Sequence, residues 1–538
     1  STMHELNVDT KTLIMRESVA SEINACRNRV GTREVADGLG NTATWTYDYA
    51  PAERNRPWIS GTICDGVSED AGTEWPRTRP MGEFRGHDAV TVTDPLGGVQ
   101  VHSYALDDTY RGRELVVSFR DSQGQELRRM GQDYAHFAGE AGYGSGEDGH
   151  YTYAEPEIAF VYVQTATVVE AGIGGPLTRT TAYSYSAALQ GGAQHGNVTH
   201  VWEYDEEGAL YRTTLRGYYS NSAAWIVDRM QFENVYSETA PLTILNDPYA
   251  HWRSSSYYGY DGADPLEEGS APEVGDLTRV MRVLTFTADV VTETDYLATT
   301  VDTGYGYDPH GNRVTETVYG SYGHCALRDP NTSQEHWECA PAAEDPRTVT
   351  ITYDAALHLY PVEVEYGNGR SETAAYDYAL GLVTSTTDVN GETTAYLLDA
   401  LGRVSKVIRP GDDSGRPTVH VKYEGWGTVG EQRVEIERLT WTKTGQPLVQ
   451  DGEVVEEERY FDGLGRLIQV HQEDQDAGDW EVVQTTFYDP LGRVQAEVVP
   501  YTITAQLHYV TPSTSLARTR HAYDALGRAI PQVYHGRT

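Results

Sequence analysis

A six-residue phrase, Tyr-Asp-x-x-Gly-Arg, recurs along the chain and constrains its fold more than any other feature. Three close copies occur late in the sequence: Phe461-Asp462-Gly-Leu-Gly465-Arg466, Tyr488-Asp489-Pro-Leu-Gly492-Arg493 and Tyr523-Asp524-Ala-Leu-Gly527-Arg528. Looser copies upstream contribute Tyr307, Asp308, Gly311, Tyr376, Asp377, Gly381, Asp399, Gly402 and Arg403. Self-similarity at a short interval is the signature of a repeat architecture.

The chemistry of the phrase predicts a hairpin corner. Asp at the first turn position can accept hydrogen bonds from the backbone amides ahead of it, and Gly three residues later can adopt positive φ. A type I turn followed by a left-handed Gly gives a bulged hairpin connection, in which Tyr ends one strand and Arg begins the next. After Gly492, Val494, Ala496 and Val498 alternate with polar residues, as they do in a strand.

A second turn, such as Asp388-Val-Asn390-Gly391, punctuates the middle of the repeat, so two strands and two turns form a unit of about 22 residues. One hairpin cannot bury its apolar face alone, so successive units must pair edge to edge. We therefore predict an all-β fold, a long coiled ribbon of antiparallel β-hairpins. A string of ordinary β-sandwiches that share the same turn chemistry is the alternative.

The amino-acid composition argues against helical bundles, nucleic-acid-binding proteins and membrane-spanning proteins. The 53 Gly and 23 Pro interrupt helices too often for a helical bundle, and 38 Tyr against 8 Phe suit half-buried strands. The 41 Lys and Arg against 80 Asp and Glu leave a net charge of −39, which repels phosphate backbones and anionic lipid heads. We expect neither a nucleic-acid partner nor a membrane span. No secretion signal is visible at Ser1-Thr-Met-His-Glu.

Four cysteines are too few for a disulfide scaffold. Cys325 and Cys339 flank one insertion and are a candidate disulfide pair, whereas a zinc site with the adjacent His324 and His336, or free thiols, are the alternatives. The sequence does not show whether Cys26 and Cys64 meet.

The hexads resemble the YD repeats of Rhs proteins, teneurins and the B and C components of bacterial Tc insecticidal toxin complexes. Upstream, Asp37-Gly-Leu-Gly40, Glu83-Phe-Arg-Gly86 and Val90-Thr-Val-Thr-Asp-Pro-Leu-Gly97 extend the likeness to the shell region of Tc B components. The resemblance implies a spiral β-sheet that forms a hollow shell, or part of one, around a toxin polypeptide. It also implies a secreted or extracellular bacterial protein.

By repeat regularity we predict two regions, a divergent Rhs and Tc B-like region at 1–300 and a regular YD-repeat region at 301–538. Insertions interrupt the second region at about 320–346 and 411–458. The Asp-Pro-x-Gly-Leu protease segment of toxin-bearing relatives does not follow Arg528, and Asp489-Pro-Leu-Gly492 is better interpreted as a turn. We therefore expect a middle piece of a shell, completed by further sequence or by a second polypeptide.

The sequence contains no recognisable motif for a catalytic, cofactor-binding or metal-binding site. We therefore predict no such residues, no enzyme activity and no cofactor. Asp474, Asp476 and Asp479 could bind Ca²⁺, but a solvated hairpin tip is the simpler interpretation. Gly172-Ile-Gly-Gly-Pro lacks the Lys of a phosphate loop. We expect the recurring Tyr rings to pack between hairpins rather than to stack on sugars, and the Arg side chains to bind the Asp or carbonyls of an adjacent turn.

The leading functional hypothesis is a non-catalytic shell of a bacterial toxin system that encapsulates and helps to deliver a partner or cargo toxin. The shell closes with a second shell-forming polypeptide or with further sequence. The alternative is an extracellular adhesion or carbohydrate-binding scaffold that uses the outer face of the ribbon.

Overall fold

The computed structural model describes residues 3–8, 11–17, 30–50, 52–54, 84–106, 110, 112–138, 158–172, 175–185, 196–237, 252–263, 265, 271–288, 296–328, 336–340, 342–428, 430–439, 454–473, 480–504, 508–524 and 526–530. These residues form strands, bridges, turns and bends, and none of them is helical. Accordingly, the described residues include no helix that could span a bilayer.

The strands of the first half are short at first and lengthen towards the middle of the chain. They are β1 (Met3–Val8), β2 (Lys11–Glu17), β3 (Val30–Ala36), β4 (Thr42–Tyr49), β5 (Ala52–Arg54), β6 (Phe84–His87), β7 (Ala89–Thr93), β8 (Val99–Tyr104), β9 (Glu114–Arg120), β10 (Glu126–Ala138), β11 (Ile158–Gly172), β12 (Gly175–Tyr185), β13 (Val198–Tyr204), β14 (Leu210–Asn221), β15 (Ile226–Ser237), β16 (Trp252–Tyr260), β17 (Leu277–Ala288) and β18 (Tyr296–Tyr307).

The second half consists of shorter strands, as a repeat of about 22 residues requires. They are β19 (Arg313–Tyr319), β20 (Gly323–Arg328), β21 (His336–Ala340), β22 (Pro346–Tyr353), β23 (Pro361–Glu365), β24 (Ser371–Asp377), β25 (Leu382–Thr387), β26 (Thr393–Leu398), β27 (Val404–Ile408), β28 (Val419–Glu424), β29 (Arg433–Leu439), β30 (Val454–Phe461), β31 (Leu467–Glu473), β32 (Trp480–Tyr488), β33 (Val494–Val498), β34 (Tyr501–Ile503), β35 (Arg518–Arg520), β36 (Ala522–Tyr523) and β37 (Ala529–Ile530).

Among the described residues, nearly every strand pairs antiparallel with the next one along the chain. Thirty-three of the strands form one sheet, and β5–β6 and β36–β37 form two separate two-stranded sheets. The inserted β20 pairs with β18 and β21 with β20, while β19 pairs with β22 across the insertion. β34 likewise pairs with β32, and β35 continues the main ladder from β33. The 33 strands of this sheet therefore form one antiparallel ribbon, as the repeat predicts, rather than separate sandwiches.

Because the pairing is sequential and antiparallel, alternate connections lie at opposite edges of the ribbon. One edge, here called the YD edge, carries the turns 308–312, 354–360, 377–381, 399–403, 462–466, 489–493 and 524–528. The other edge, here called the far edge, carries the turns 37–41, 94–98, 121–125, 205–209 and 388–392. The hairpins have the predicted bulge beside the turn, for example between Phe487 and Tyr488.

The two predicted regions differ in the regularity of their repeats, and the sheet runs through their boundary. Residue 300 lies inside β18, which pairs with β17 on one side and with β19 and β20 on the other. The division at 300/301 stays a prediction about sequence regularity.

A single-layer ribbon buries little of its surface. Most strand residues are only half-buried, and the main apolar cluster consists of Met281, Val283, Ala298 and Cys325, with Trp252 beside it. The stability of the ribbon must therefore come largely from contacts that repeat along its length.

The left-handed corner glycines give a first test. Gly465 has φ +74° and nothing lies within 4 Å of where a Cβ would stand, so Gly465→Ala changes the backbone preference without a clash. We expect a loss of about 1–2 kcal/mol in the free energy of unfolding, measured by denaturant titration.

Gly131→Ala is the matched control, because Gly131 lies in a strand without positive φ and its nearest neighbour, the Leu115 carbonyl oxygen, is 3.9 Å from the built Cβ. An equal loss in both variants would show that the corner does not depend on the left-handed conformation.

Candidate functional site

Each regular corner is built around one carboxylate. In the turn 489–493, the Asp489 N–H donates to the Arg493 carbonyl at 2.8 Å, and the Gly492 N–H donates to the Asp489 carbonyl at 2.9 Å. The N–H groups of Leu491 and Arg493 both donate to Asp489 Oδ1, at 2.9 and 3.0 Å. Gly492 has φ +83°. The backbone is thus the type I turn with a left-handed Gly that the sequence predicts.

The Arg that ends the phrase binds the Asp of its own turn. Arg493 Nε donates to Asp489 Oδ2 at 2.7 Å. The same bond joins Arg403 to Asp399, Arg466 to Asp462 and Arg528 to Asp524, at 2.6–2.7 Å. We predicted that these Arg side chains bind the Asp or carbonyls of an adjacent turn. The Asp that they bind is instead the one in their own turn, because i and i+4 of this turn lie side by side, whereas the carbonyl contact with an adjacent turn is present at Arg493. Arg493 Nη1 additionally reaches the Asp524 carbonyl of the next corner at 3.4 Å.

The looser corners vary this plan. Asn replaces Arg in two of them, where Asn41 Nδ2 donates to Asp37 at 2.6 Å and Asn312 Nδ2 donates to Asp308 at 3.0 Å. Gly311 adopts φ +83° as expected. In the longer turn after Tyr376, Gly381 adopts φ +68° and its N–H donates to the Asp377 carbonyl at 2.8 Å.

The Arg of one corner stacks on the Tyr of the next corner. The guanidinium carbon lies over the ring centroid at 4.0 Å for Arg403 on Tyr423, at 4.5 Å for Arg466 on Tyr488 and at 4.6 Å for Arg493 on Tyr523. These are cation–π distances. Asp, Arg and Tyr therefore form a chain of contacts along the YD edge, here called the corner lattice.

The Tyr hydroxyls extend the corner lattice over most of the ribbon. Tyr488 donates to the Leu467 carbonyl at 2.8 Å and Tyr523 to the Val494 carbonyl at 2.9 Å, in each case at the start of the neighbouring strand. The same diagonal bond is made by Tyr49, Tyr134, Tyr218, Tyr260, Tyr307, Tyr353, Tyr376 and Tyr423. Burial raises the pKa of Tyr488 and Tyr307, and that of Tyr260 to about 12, so these hydroxyls stay protonated donors.

The ribbon returns onto itself at a contact that the sequence does not predict. The Gly463 N–H on the YD edge donates to the Asp37 carbonyl on the far edge at 2.6 Å, although 426 positions separate the two residues. A Cβ on Gly463 would lie 2.7 Å from that carbonyl oxygen. Asp37 and Asp462 are both buried there. We call this contact between turns 37–41 and 462–466 the seam.

Sequence reasoning missed a buried polar cluster on β30 and β31. Glu458, Tyr460, Gln469 and His471 are each at most 2% exposed. The Tyr460 hydroxyl donates to Glu458, and His471 Nε2 lies 2.8 Å from Gln469 Oε1. Gln469 also clamps the backbone of Val510 through its N–H and its carbonyl, each at 2.9 Å. Burial lowers the pKa of His471 to about 4, so the imidazole is neutral at neutral pH. The polar alternation of Glu456, Glu458 and Tyr460 was the available signal.

Cys325 is buried and disulfide-bonded. The backbone of β20 and β21 places Cys325 directly opposite Cys339, the partner that the sequence suggested. The identity of that partner stays a prediction. The described residues hold no cluster of three or more metal-ligating side chains. Cys26 and Cys64, and the candidate Ca²⁺ ligands Asp474, Asp476 and Asp479, lie outside the described residues.

Two family models match the chain. The RHS repeat matches residues 376–414, and a domain of unknown function, DUF6443, matches residues 434–536. No curated protein matches the chain.

Several solved structures share its fold. A crystal structure of TcdB2-TccC3 is 12% identical with a TM-score of 0.65, over 94% of this chain and 31% of that chain. TcdB2-TccC3 without its hypervariable C-terminal region is 12% identical with a TM-score of 0.63, over 97% of this chain and 34% of that chain. TcdB2-TccC3-Cdc42 is 11% identical with a TM-score of 0.63, over the same shares of the two chains. This chain thus spans about a third of the solved chains. The likeness confirms the predicted all-β, Tc shell-like fold.

The Tyr hydroxyl bonds are testable by a single-atom deletion. Tyr488→Phe removes the donor to the Leu467 carbonyl and keeps the ring under Arg466. We expect a loss of about 0.5–1.5 kcal/mol in unfolding free energy. Tyr378→Phe is the control, because Tyr378 is 47% exposed and keeps its ring contact with Tyr360. An unchanged Tyr488→Phe variant would contradict the lattice.

The corner carboxylates should make the folded state less stable at acidic pH. Burial opposes ionisation of Asp354, but backbone N–H groups of Tyr360, Leu357, Leu359 and Ala356 bind its carboxylate and lower its pKa from 3.8 to about 2. Since the folded pKa lies below the unfolded value, the stabilisation is complete above about pH 4 and is lost as the pH falls towards 2.

We therefore expect Asp354→Asn to be less stable than the wild type at pH 7, with the difference shrinking between about pH 4 and 2 in urea titrations. Glu206→Gln, at an exposed turn position, serves as the control. A difference that does not change with pH would exclude the carboxylate as its source.

Proposed function

Because the chain belongs to the YD/Rhs-repeat family and has a Tc shell-like fold, we propose that it is part of a shell that encapsulates a partner or cargo toxin polypeptide and helps to deliver it. The observation that carries this proposal is the seam. At the seam, a later winding of the ribbon hydrogen-bonds to an earlier winding. The windings therefore form a continuous wall, and the sheet edges are covered where they meet.

We propose that the role is geometric and non-catalytic. In the regular corners the recurring side chains are occupied by structural contacts. In the corner 489–493, for example, Asp489 binds turn amides, Arg493 binds Asp489, and Tyr488 donates to the carbonyl of a neighbouring strand. Containment needs only a continuous wall, and the cargo contributes its own activity once released. Secretion with a bacterial toxin system, and a second shell-forming polypeptide, belong to the same proposal and are supported by the fold alone.

The corner tyrosines do not favour a carbohydrate-binding role. Arg guanidinium groups cover the faces of Tyr423, Tyr488 and Tyr523, and their hydroxyls donate to backbone carbonyls, so neither is presented to a sugar.

The test is cargo protection in the natural assembly. The full natural polypeptide is produced together with the polypeptide encoded beside it, and the particle is imaged by single-particle electron microscopy and treated with protease. We expect a hollow particle with chain density inside, and a cargo that is cleaved only after the wall is denatured.

Gly463→Val provides the matched perturbation, because any Cβ at this position meets the Asp37 carbonyl and should open the seam. We expect its cargo to become protease-sensitive, while Gly131→Ala protects the cargo as the wild type does. A solid particle, or a cargo equally accessible in all three proteins, would overturn the proposal.

A further inference from the structure

A segment without regular secondary structure, residues 508–512, lies against the buried polar cluster of β30 and β31, and we call it the strap. The Tyr509 N–H donates to the Gly430 carbonyl at 2.9 Å, in the connection between β28 and β29. The Val510 N–H donates to Gln469 Oε1 of β31, and the Val510 carbonyl accepts from Gln469 Nε2, each at 2.9 Å. One buried side chain and one turn carbonyl therefore hold the strap against the sheet.

The hydrogen bonds of Gln469 fix which nitrogen of His471 carries a proton. A backbone N–H only donates, so the atom that binds the Val510 N–H is the amide oxygen of Gln469. His471 Nε2 lies 2.8 Å from that same oxygen and must donate to it. The neutral imidazole therefore has its proton on Nε2 and its lone pair on Nδ1. Through this shared oxygen, His471 and the strap hold Gln469 in one orientation.

A second proton on His471 would have no hydrogen-bond acceptor. The side chain is fully buried, and no described residue hydrogen-bonds to its Nδ1 atom. Glu458 Oε2 lies 3.8 Å away, too far for a hydrogen bond, and already accepts the Tyr460 hydroxyl. The Tyr460 ring also packs against the imidazole, with centroids 4.6 Å apart. An imidazolium here would combine a buried charge with an unsatisfied N–H.

The charges around His471 do not offset its burial. Glu458 Oε1 lies 3.5 Å from Arg433 Nε, so this carboxylate is already in an ion pair. Burial, and to a lesser extent the charge of His508, lower the pKa of His471 from 6.5 to about 4, whereas burial raises the pKa of Glu458. Val482, opposite His471 on β32, carries no charge. The titratable and charged groups around the imidazole are Glu456, Glu458 and Tyr460 of β30, Arg433 and Glu435 of β29, and His508 of the strap.

The closed strap therefore binds a proton at His471 more weakly than an open strap does. Once the site is open to water, the imidazole titrates near its ordinary pKa of 6.5, whereas in the closed site it titrates only at about 4. The closed form keeps its full stability above about pH 6.5 and loses it progressively as the pH falls towards 4.

We infer that residues 508–512 form an acid-released strap, which opens when His471 is protonated. The imidazolium leaves its buried position, and Gln469 loses the neighbour that orients its amide towards Val510. The strap then separates from β31 while the strands of the sheet stay paired, and water reaches the polar face that the strap covered. This inference goes beyond the proposed function, because it concerns a segment and a sensor within this chain.

Hydrogen exchange measured by mass spectrometry on the full natural polypeptide tests the inference at about pH 7.5 and about pH 5, with labelling times scaled for the pH dependence of intrinsic exchange. The N–H groups of Tyr509 and Val510 are hydrogen-bonded in the closed strap and exchange only when it opens. We expect their protection to fall about thirtyfold at the lower pH, the ratio that pKa values of 6.5 and about 4 give. Peptides from β25 and β26, which contain no Asp, Glu or His, should keep their protection.

His471→Gln tests the sensor directly, because Gln keeps an N–H donor for Gln469 and does not titrate. We expect the strap of this variant to be as protected at about pH 5 as at about pH 7.5. His420→Gln is the matched control, since His420 belongs to the same sheet but binds Glu437 rather than Gln469. Its strap should lose protection in acid as the wild type does.

An equal loss of protection in the strap and in β25 and β26 would show that acid unfolds the sheet as a whole, which overturns the inference. A loss in acid that persists in His471→Gln places the sensor elsewhere and also overturns it. If His471→Gln leaves the strap open at both pH values, Glu458→Gln decides. Acid release that is retained in Glu458→Gln supports His471 as the sensor, and acid release that disappears assigns it to Glu458 and overturns the inference.

Discussion

The hydrogen bonds to the corner Asp are the interaction on which the rest of the structure depends. A single carboxylate accepts two amides of the turn on one oxygen and the following Arg on the other, so it fixes where each strand ends and in which direction the next one begins. The corners from 308–312 to 489–493 on the YD edge also introduce a bulge beside the turn, which adds twist to the ribbon. A ribbon with such corners at one edge is expected to coil.

Coiling brings the sheet edges into contact with one another, and these contacts help to stabilise a long sheet that has only a small apolar core. The half-buried faces give each strand little hydrophobic stabilisation, and the contacts that recur along the edge compensate for it: Arg on Tyr, Tyr hydroxyl on carbonyl, and winding on winding. Tyr suits this place better than Phe, because its ring packs against the guanidinium while its hydroxyl satisfies a strand-end carbonyl. The excess of Tyr over Phe in the composition has this structural cause.

The sequence predicted the corners because their determinants are local. Asp489, Gly492 and Arg493 lie within five residues, and turn chemistry alone sets their geometry. Prediction from the sequence failed where a contact joins residues that are far apart in the chain. Nothing near Asp37 or Gly463 in the sequence shows that they meet, since both stand in ordinary turn phrases and their hydrogen bond is made by backbone atoms. The pairing of Arg with its own Asp was also missed, because sequence shows neighbours along the chain and not the direction of a side chain.

The buried cluster at Glu458 and His471 was missed for a related reason. Polar alternation on a strand normally predicts a solvated face, whereas here that face is buried and Gln469 on it binds the backbone of Val510. A wall of successive windings requires the seam, so a distance across the seam is the most direct test of the structure. Spin labels at Leu39→Cys and Leu464→Cys, measured by double electron–electron resonance, should give one short and narrow distance distribution. A long or broad distribution would show that the ribbon does not wind onto itself.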